Sequence, residues 1–181
     1  GANRIPYLVT DRLDMVISAM GATPERAQQI AFSSPYSALA IGVFGPDEVA
    51  VSSPEELGSE TIAVARGTTQ DLELTAAAPN ANIQRFDDDA TAAAAFLSGQ
   101  VQLLATANVV AKDLMDKNPD VELNSKFILR LSPTHIGVQQ GNPELLRWLD
   151  TFVFYHLTTG RLSEITEKWL GQPLPENFPS L

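Results

Sequence analysis

The chain has 181 residues and carries 12 Lys and Arg against 22 Asp and Glu, a formal net charge of −10. Nucleic acids and anionic membrane surfaces are held by clustered cations, so this balance excludes both as expected partners. At 44% hydrophobic the chain can bury a core, and with no cysteine it has no disulfide framework, thiolate metal site or cysteine nucleophile.

The segment Ile5–Leu13 has near-helical apolar spacing, and Met15–Ala19 is a short apolar run that reads as a buried strand. Thr23-Pro24-Glu25-Arg26 combines an N-cap residue, proline at the first helical position and an acid in the first turn, so a short helix starts there and ends near Gln29. Residues 31–36 read as a turn-rich link, and Ser37–Phe44 as a strand. Ser53–Leu57 reads as a short capped helix.

From Thr61 onward strands and helices alternate. The expected strands are Thr61–Ala65, Ile83–Phe86 and Val101–Ala105; the expected helices are Asp71–Ala77, Asp88–Leu97 and Val109–Asp116. Such alternation predicts a parallel α/β sheet. Phe127–Leu131 and Thr134–Gln139 read as two further strands, followed by helices over Pro143–Leu157 and from Leu162 to Trp169. Helical spacing of Trp148, Phe152, Phe154 and Trp169 predicts packing residues. The tail beyond Gly171, with three prolines, reads as loop.

No apolar run reaches the ~20 residues of a membrane span, and the first residues lack the basic-then-apolar order of a secretory signal. His135 and His156 are the only histidines, no metal-binding or nucleophile motif surrounds either, and both read as structural. Neither a metal nor a cofactor is expected. The run Asp87-Asp88-Asp89 reads as a solvated helix cap.

Taken in order, several motifs together resemble the extracellular solute-binding proteins of bacterial polar amino-acid ABC importers. They are Asn3-Arg4-Ile5-Pro6-Tyr7-Leu8, Asp14-Met15-Val16-Ile17, Thr23-Pro24-Glu25-Arg26 and Phe32-Ser33-Ser34-Pro35-Tyr36, followed by Gly67-Thr68-Thr69-Gln70 and Ser98-Gly99-Gln100-Val101. The closing Gly160-Arg161-Leu162 through Lys168-Trp169-Leu170-Gly171 completes the series. The resemblance implies a type II periplasmic-binding-protein fold: two α/β lobes joined by two hinge strands, with the ligand in the cleft. It implies a second lobe over residues 39–136 and a first lobe from residues 1–38 with 137–181. Members of the family begin with a further strand, helix and strand, so the first lobe is expected to be incomplete and the chain N-terminally truncated.

On this resemblance Arg26 holds a ligand carboxylate, since a guanidinium can give it two parallel charge-assisted hydrogen bonds. Thr68 and Thr69, between a strand and a helix start, supply backbone N–H donors and the positive end of the helix dipole. Gly21 stands where many members have a hydroxyl residue, leaving backbone groups and Thr23 to serve. The family's aspartate for a ligand ammonium falls on Ala107, with Thr106 and Asn108 as neutral acceptors beside it. The expected protein is a periplasmic, non-enzymatic solute-binding component that takes an amino acid or related carboxylate to membrane permease subunits. Apolar surface on an incomplete lobe is expected to drive dimerisation. The alternatives are an enzyme of the dehydratase or lytic type, for which Glu25 and Asp71 are the nearby acids, and the sensor domain of a receptor.

Overall fold

The structure is a computed structural model and describes residues 3–171 with Pro173 and Leu174; the rest of the expected C-terminal loop lies outside the described residues. The chain opens with α1 (Arg4–Val9), β1 (Met15–Met20), α2 (Pro24–Ala27), β2 (Ile30–Phe32) and β3 (Ser37–Gly45). A 3-10 turn at Pro54–Glu56 precedes β4 (Thr61–Ala65), α3 (Thr69–Ala77), β5 (Asn82–Phe86) and α4 (Asp89–Leu97). Then come β6 (Leu103–Ala107), α5 (Asn108–Lys117), β7 (Asn124–Gln139), α6 (Pro143–Thr158) and α7 (Arg161–Leu170). The chain divides into a central unit, Ala40–Leu131, and a terminal unit built from Asn3–Leu39 and the chain from Ser132 onward. It passes from one to the other within β3 and again within β7.

In the central unit β4 lies between β5 and β6 and is parallel to both, while β3 is antiparallel to β6. Period-two alternation sends Ile62, Val64, Leu103 and Ala105 to one face, packed with Leu74 of α3. Ala63 and Leu104 go to the other, packed with Ala92, Ala95 and Ala111 of α4 and α5. Helices on both faces explain why these strands are apolar runs without polar alternation. Gly42 of β3 faces the Phe127 carbonyl, into which a Cβ would project, so glycine permits the close approach of β3 to β7. Asp88 caps α4 in a capping box with Thr91, the solvated cap expected there.

In the terminal unit β7 is central, with β1 and β2 each pairing antiparallel to it. Leu8, Val16, Met20 and Ile30 form one buried cluster, and Ile136, Val138, Leu149 and Val153 another.

Four expectations are corrected. The first helix ends at Val9, and Asp11 adopts a left-handed φ of 57° shortly after. Ala31 and Phe32, read as part of a link, belong to the strand Ile30–Phe32, because pairing with β7 overrides the serine- and proline-rich context that reads locally as turn. The two stretches read on either side of Pro133 are one 16-residue strand, in which the missing proline N–H is tolerated. Trp148, Phe154 and Trp169 are not packed: they are 60%, 66% and 73% exposed. The buried line of α6 is Leu149 and Val153, and Trp148 stacks on Phe152 at 5.3 Å instead of entering the core.

Candidate functional site

The central unit offers two helix starts at one edge of its sheet. After β4 the chain turns through Gly67, whose φ of 69° suits glycine, and enters α3 with Thr68 as N-cap. The Thr68 hydroxyl accepts from Asp71 N at 3.3 Å and donates to the Ala65 carbonyl at 2.7 Å, so it serves its own helix. A helix start carries several first-turn N–H groups and the positive end of the helix dipole. Thr69 is buried.

Asp71 holds the turn in place. Its carboxylate accepts the Gly67 N–H at 2.9 Å and Arg85 Nε at 2.9 Å, and the residue is 6% exposed. Thr75 closes the cluster, donating to the Asp71 carbonyl at 2.6 Å and accepting from an Arg85 nitrogen at 2.8 Å. A carboxylate committed to this network positions donors; it is not a free acid. The Thr68-x-x-Asp71 spacing, a capping signature, is the sequence signal for that role.

On the neighbouring strand, β6 runs straight into α5 with Ala107 as N-cap and no side-chain cap bond. Thr106 and Ala107 are buried. The Thr106 hydroxyl and the Asn108 side-chain oxygen are both buried without a hydrogen-bond partner.

The terminal unit holds the candidate cation, Arg26. Here β1 pairs regularly with β7 up to Ile17, then slips so that Met20 faces His135. Ala19, in the bulge, has a φ of 42°, unusual for a residue with a Cβ. Tyr36 and Arg4 satisfy the bulged backbone: the Tyr36 hydroxyl accepts the Ala19 N–H at 3.2 Å, and Arg4 donates to the Ser18 carbonyl at 2.6 Å. Just beyond, the Gly21 carbonyl accepts from Arg26 at 2.6 Å, and Thr23 caps α2 by accepting Arg26 N at 3.3 Å. Arg26 is 7% exposed. Burial and the nearby Arg4 charge lower its proton affinity, with Glu25 opposing. A guanidinium nevertheless keeps its charge in proteins. Thr23 and Pro24 also line an open depression of about 480 Å³ with Ile30 and Phe32.

The terminal unit thus brings Gly21, Thr23 and Arg26 together, through the Gly21 carbonyl, the α2 cap at Thr23 and the buried Arg26 side chain. Sequence reading missed Arg4, because its place depends on a bulge that no local pattern announces. His135 is 3% exposed, with Nδ1 at 2.8 Å from the Ser33 carbonyl. Burial pushes its proton affinity down, and the Ser33 contact opposes this in part. Among the described residues no group of three or more His, Cys, Asp or Glu could hold a metal ion, and no helix is long and apolar enough to cross a membrane.

Comparison with known proteins agrees over nearly the whole chain. The ABC transporter glutamine-binding protein GlnH of Bacillus subtilis (strain 168) is 29% identical over 171 residues, covering 93% of the chain and 62% of that relative. The chain therefore spans about 62% of the length of such curated relatives. Among solved structures, the solute receptor for L-cysteine of Neisseria gonorrhoeae is 29% identical with a TM-score of 0.84, over 93% of this chain and 69% of that one. The ancestral amino acid-binding protein AncCDT-1, a precursor of cyclohexadienyl dehydratase, is 28% identical with a TM-score of 0.81, over 93% and 74%. The mixed α/β architecture is that of the type II periplasmic binding proteins. The model of the bacterial extracellular solute-binding proteins, family 3, matches residues 1–172, and the chain belongs to that family.

Proposed function

We propose that the chain is the solute-binding component of an ABC importer and holds a small carboxylate, an amino acid or a related compound. Arg26 is the cation for the carboxylate, fixed by the Gly21 carbonyl and by the α2 cap at Thr23. The α3 start at Thr68 and Thr69 supplies backbone donors, with Thr106 and Asn108 as further polar contacts. The observation that carries this reading is the burial of Arg26, fixed in place, within a chain matched to the family over residues 1–172. The Gly21 carbonyl and the α2 cap hold this planar fork in one geometry, which recognition of a carboxylate by two parallel hydrogen bonds requires.

The protein works outside the cytoplasm, in the periplasm, and delivers its solute to membrane permease subunits. It binds and does no chemistry. Commitment of Asp71 to Arg85 and to the Gly67 N–H weighs against the enzyme alternative by removing one of its two acids. Self-association through the exposed aromatics of α6 and α7 is part of the same reading.

A thermal-shift screen of the chain against small carboxylates tests the proposal. A ligand at ~100 times its dissociation constant stabilises by about 2.7 kcal/mol. A saturable rise in Tm with particular carboxylates supports the reading; no rise across the panel contradicts it.

A further inference from the structure

Arg26 donates to the Gly21 carbonyl at 2.6 Å, and the path of the chain into Gly21 is unusual. In β1, Ile17 stands opposite Ile136 and Met20 opposite His135, so Ser18 and Ala19 fall in a bulge between these two pairs. Ala19 takes a left-handed φ of 42°, a conformation that costs a residue with a Cβ free energy and costs glycine almost none. A bulge re-aims the strand beyond it. Here the strand closes on Met20, 1% exposed in a cluster with Leu8, Val16 and Ile30, and the next residue is Gly21.

Two side chains brace the bulge. Arg4 donates to the Ser18 carbonyl at 2.6 Å, and the Ala19 N–H donates to the Tyr36 hydroxyl at 3.2 Å. Tyr36 is the fixed post of the two. Its N–H donates to the Thr134 carbonyl at 3.0 Å, and its ring packs against the buried cluster of Ile136, Val138, Leu149 and Val153. Arg4 reaches the bulge on a long side chain whose ordering has an entropic cost. All of these residues belong to the terminal unit. Holding a carboxylate by two parallel hydrogen bonds needs the guanidinium plane fixed, so an Arg26 free to swing would keep its charge and lose the second bond.

We propose that Tyr36 is a positioning residue for carboxylate binding: its hydroxyl holds the strained Ala19 bulge, which sets the Gly21 carbonyl and, through it, the plane of the Arg26 guanidinium. This rests on the reading of Arg26 as the carboxylate-binding cation and adds how the geometry of that cation is kept.

Titration calorimetry with the standard L-amino acids, acetate and succinate as probes tests it on the 181-residue chain and on Tyr36→Phe, Ala19→Gly and the two combined. Tyr36→Phe keeps the packed ring and removes only the hydroxyl, and melting curves confirm that each variant is folded. For a probe that the wild-type chain binds, Tyr36→Phe is expected to bind about fivefold more weakly, the size of one neutral hydrogen bond. Glycine takes the left-handed φ unaided, so Ala19→Gly is expected to bind within about twofold of the wild-type chain and, combined with Tyr36→Phe, to restore the lost affinity to within about twofold. A side chain that touched the ligand, or that only stabilised the fold, would not be rescued in this way. Unchanged affinity in Tyr36→Phe overturns the inference and leaves the carboxylate reading standing. A loss that Ala19→Gly does not restore overturns it too, as does a loss in Ala19→Gly alone, because strain at Ala19 would then not be what Tyr36 holds. Binding of no probe by the wild-type chain at millimolar concentration overturns the carboxylate reading and the inference with it.

Discussion

The central unit covers both faces of its sheet, with α3 on one side and α4 and α5 on the other. The terminal unit buries Leu149 and Val153 of α6 yet leaves Trp148, Phe154, Tyr155 and Trp169 at 60–73% exposure. Similar apolar spacing therefore has opposite consequences in the two units. A helix contributes to stability through the side chains it buries, and an aromatic left mostly in solvent contributes little to the fold while remaining available for association.

The largest expected contrast follows directly. Leu74→Ala removes a fully buried side chain from the central unit and should cost about 3 kcal/mol in urea denaturation, whereas Trp169→Ser should change stability by less than about 0.5 kcal/mol. Comparable losses would erase the distinction. Light scattering sharpens it further: replacing both Trp148 and Trp169 by Ser should reduce concentration-dependent association, and an unchanged mass profile would remove those side chains from the interface.

A smaller effect is expected at the turn that presents the α3 donors. Asp71→Ala breaks the contacts to Arg85, Thr75 and the Gly67 N–H and should cost about 2 kcal/mol, moderated because the Arg85 side chain is 33% exposed and regains water. Carboxylate affinity should fall with it, since the Gly67 turn loses its anchor. Unchanged stability would mean that the turn holds its shape without the carboxylate.

The smallest effect concerns His135 in the terminal unit. Its folded-state proton affinity lies below the ordinary 6.5 because of burial, so as pH falls through that value the unfolded chain takes up the proton first. The contribution is fully present above 6.5 and is lost progressively as pH falls from there toward the depressed folded value. His135→Asn should remove this part of the acid slope in denaturation midpoints measured from neutral pH downward. An identical slope in the variant would place the titrating group elsewhere.

What the sequence revealed follows the range of the interactions involved. Thr23-Pro24-Glu25-Arg26 announces α2 because capping acts within four residues, and the structure uses Thr23 as read. Thr68 and Asp71 lie within one helical turn and carry their signal in the same way. Arg4 was invisible because its carbonyl partner, Ser18, is exposed by a slip in β1 pairing with β7, a contact between distant segments. Pro133 reads as a break, yet β7 continues through it because strand pairing, rather than local preference, sets its length. The exposure of Trp169 is likewise set by what packs against α7, which helical spacing does not contain.

Calorimetric titration of the wild-type chain and Arg26→Gln with the best carboxylate from the screen tests the central claim most directly, with unliganded melting curves confirming that both are folded. The account predicts saturable binding to the wild-type chain and a loss of at least a hundredfold in the variant, as expected when a charge-assisted bidentate pair of about 3 kcal/mol is removed. Equal affinity in the two folded proteins would contradict the assignment of Arg26 as the carboxylate-binding residue.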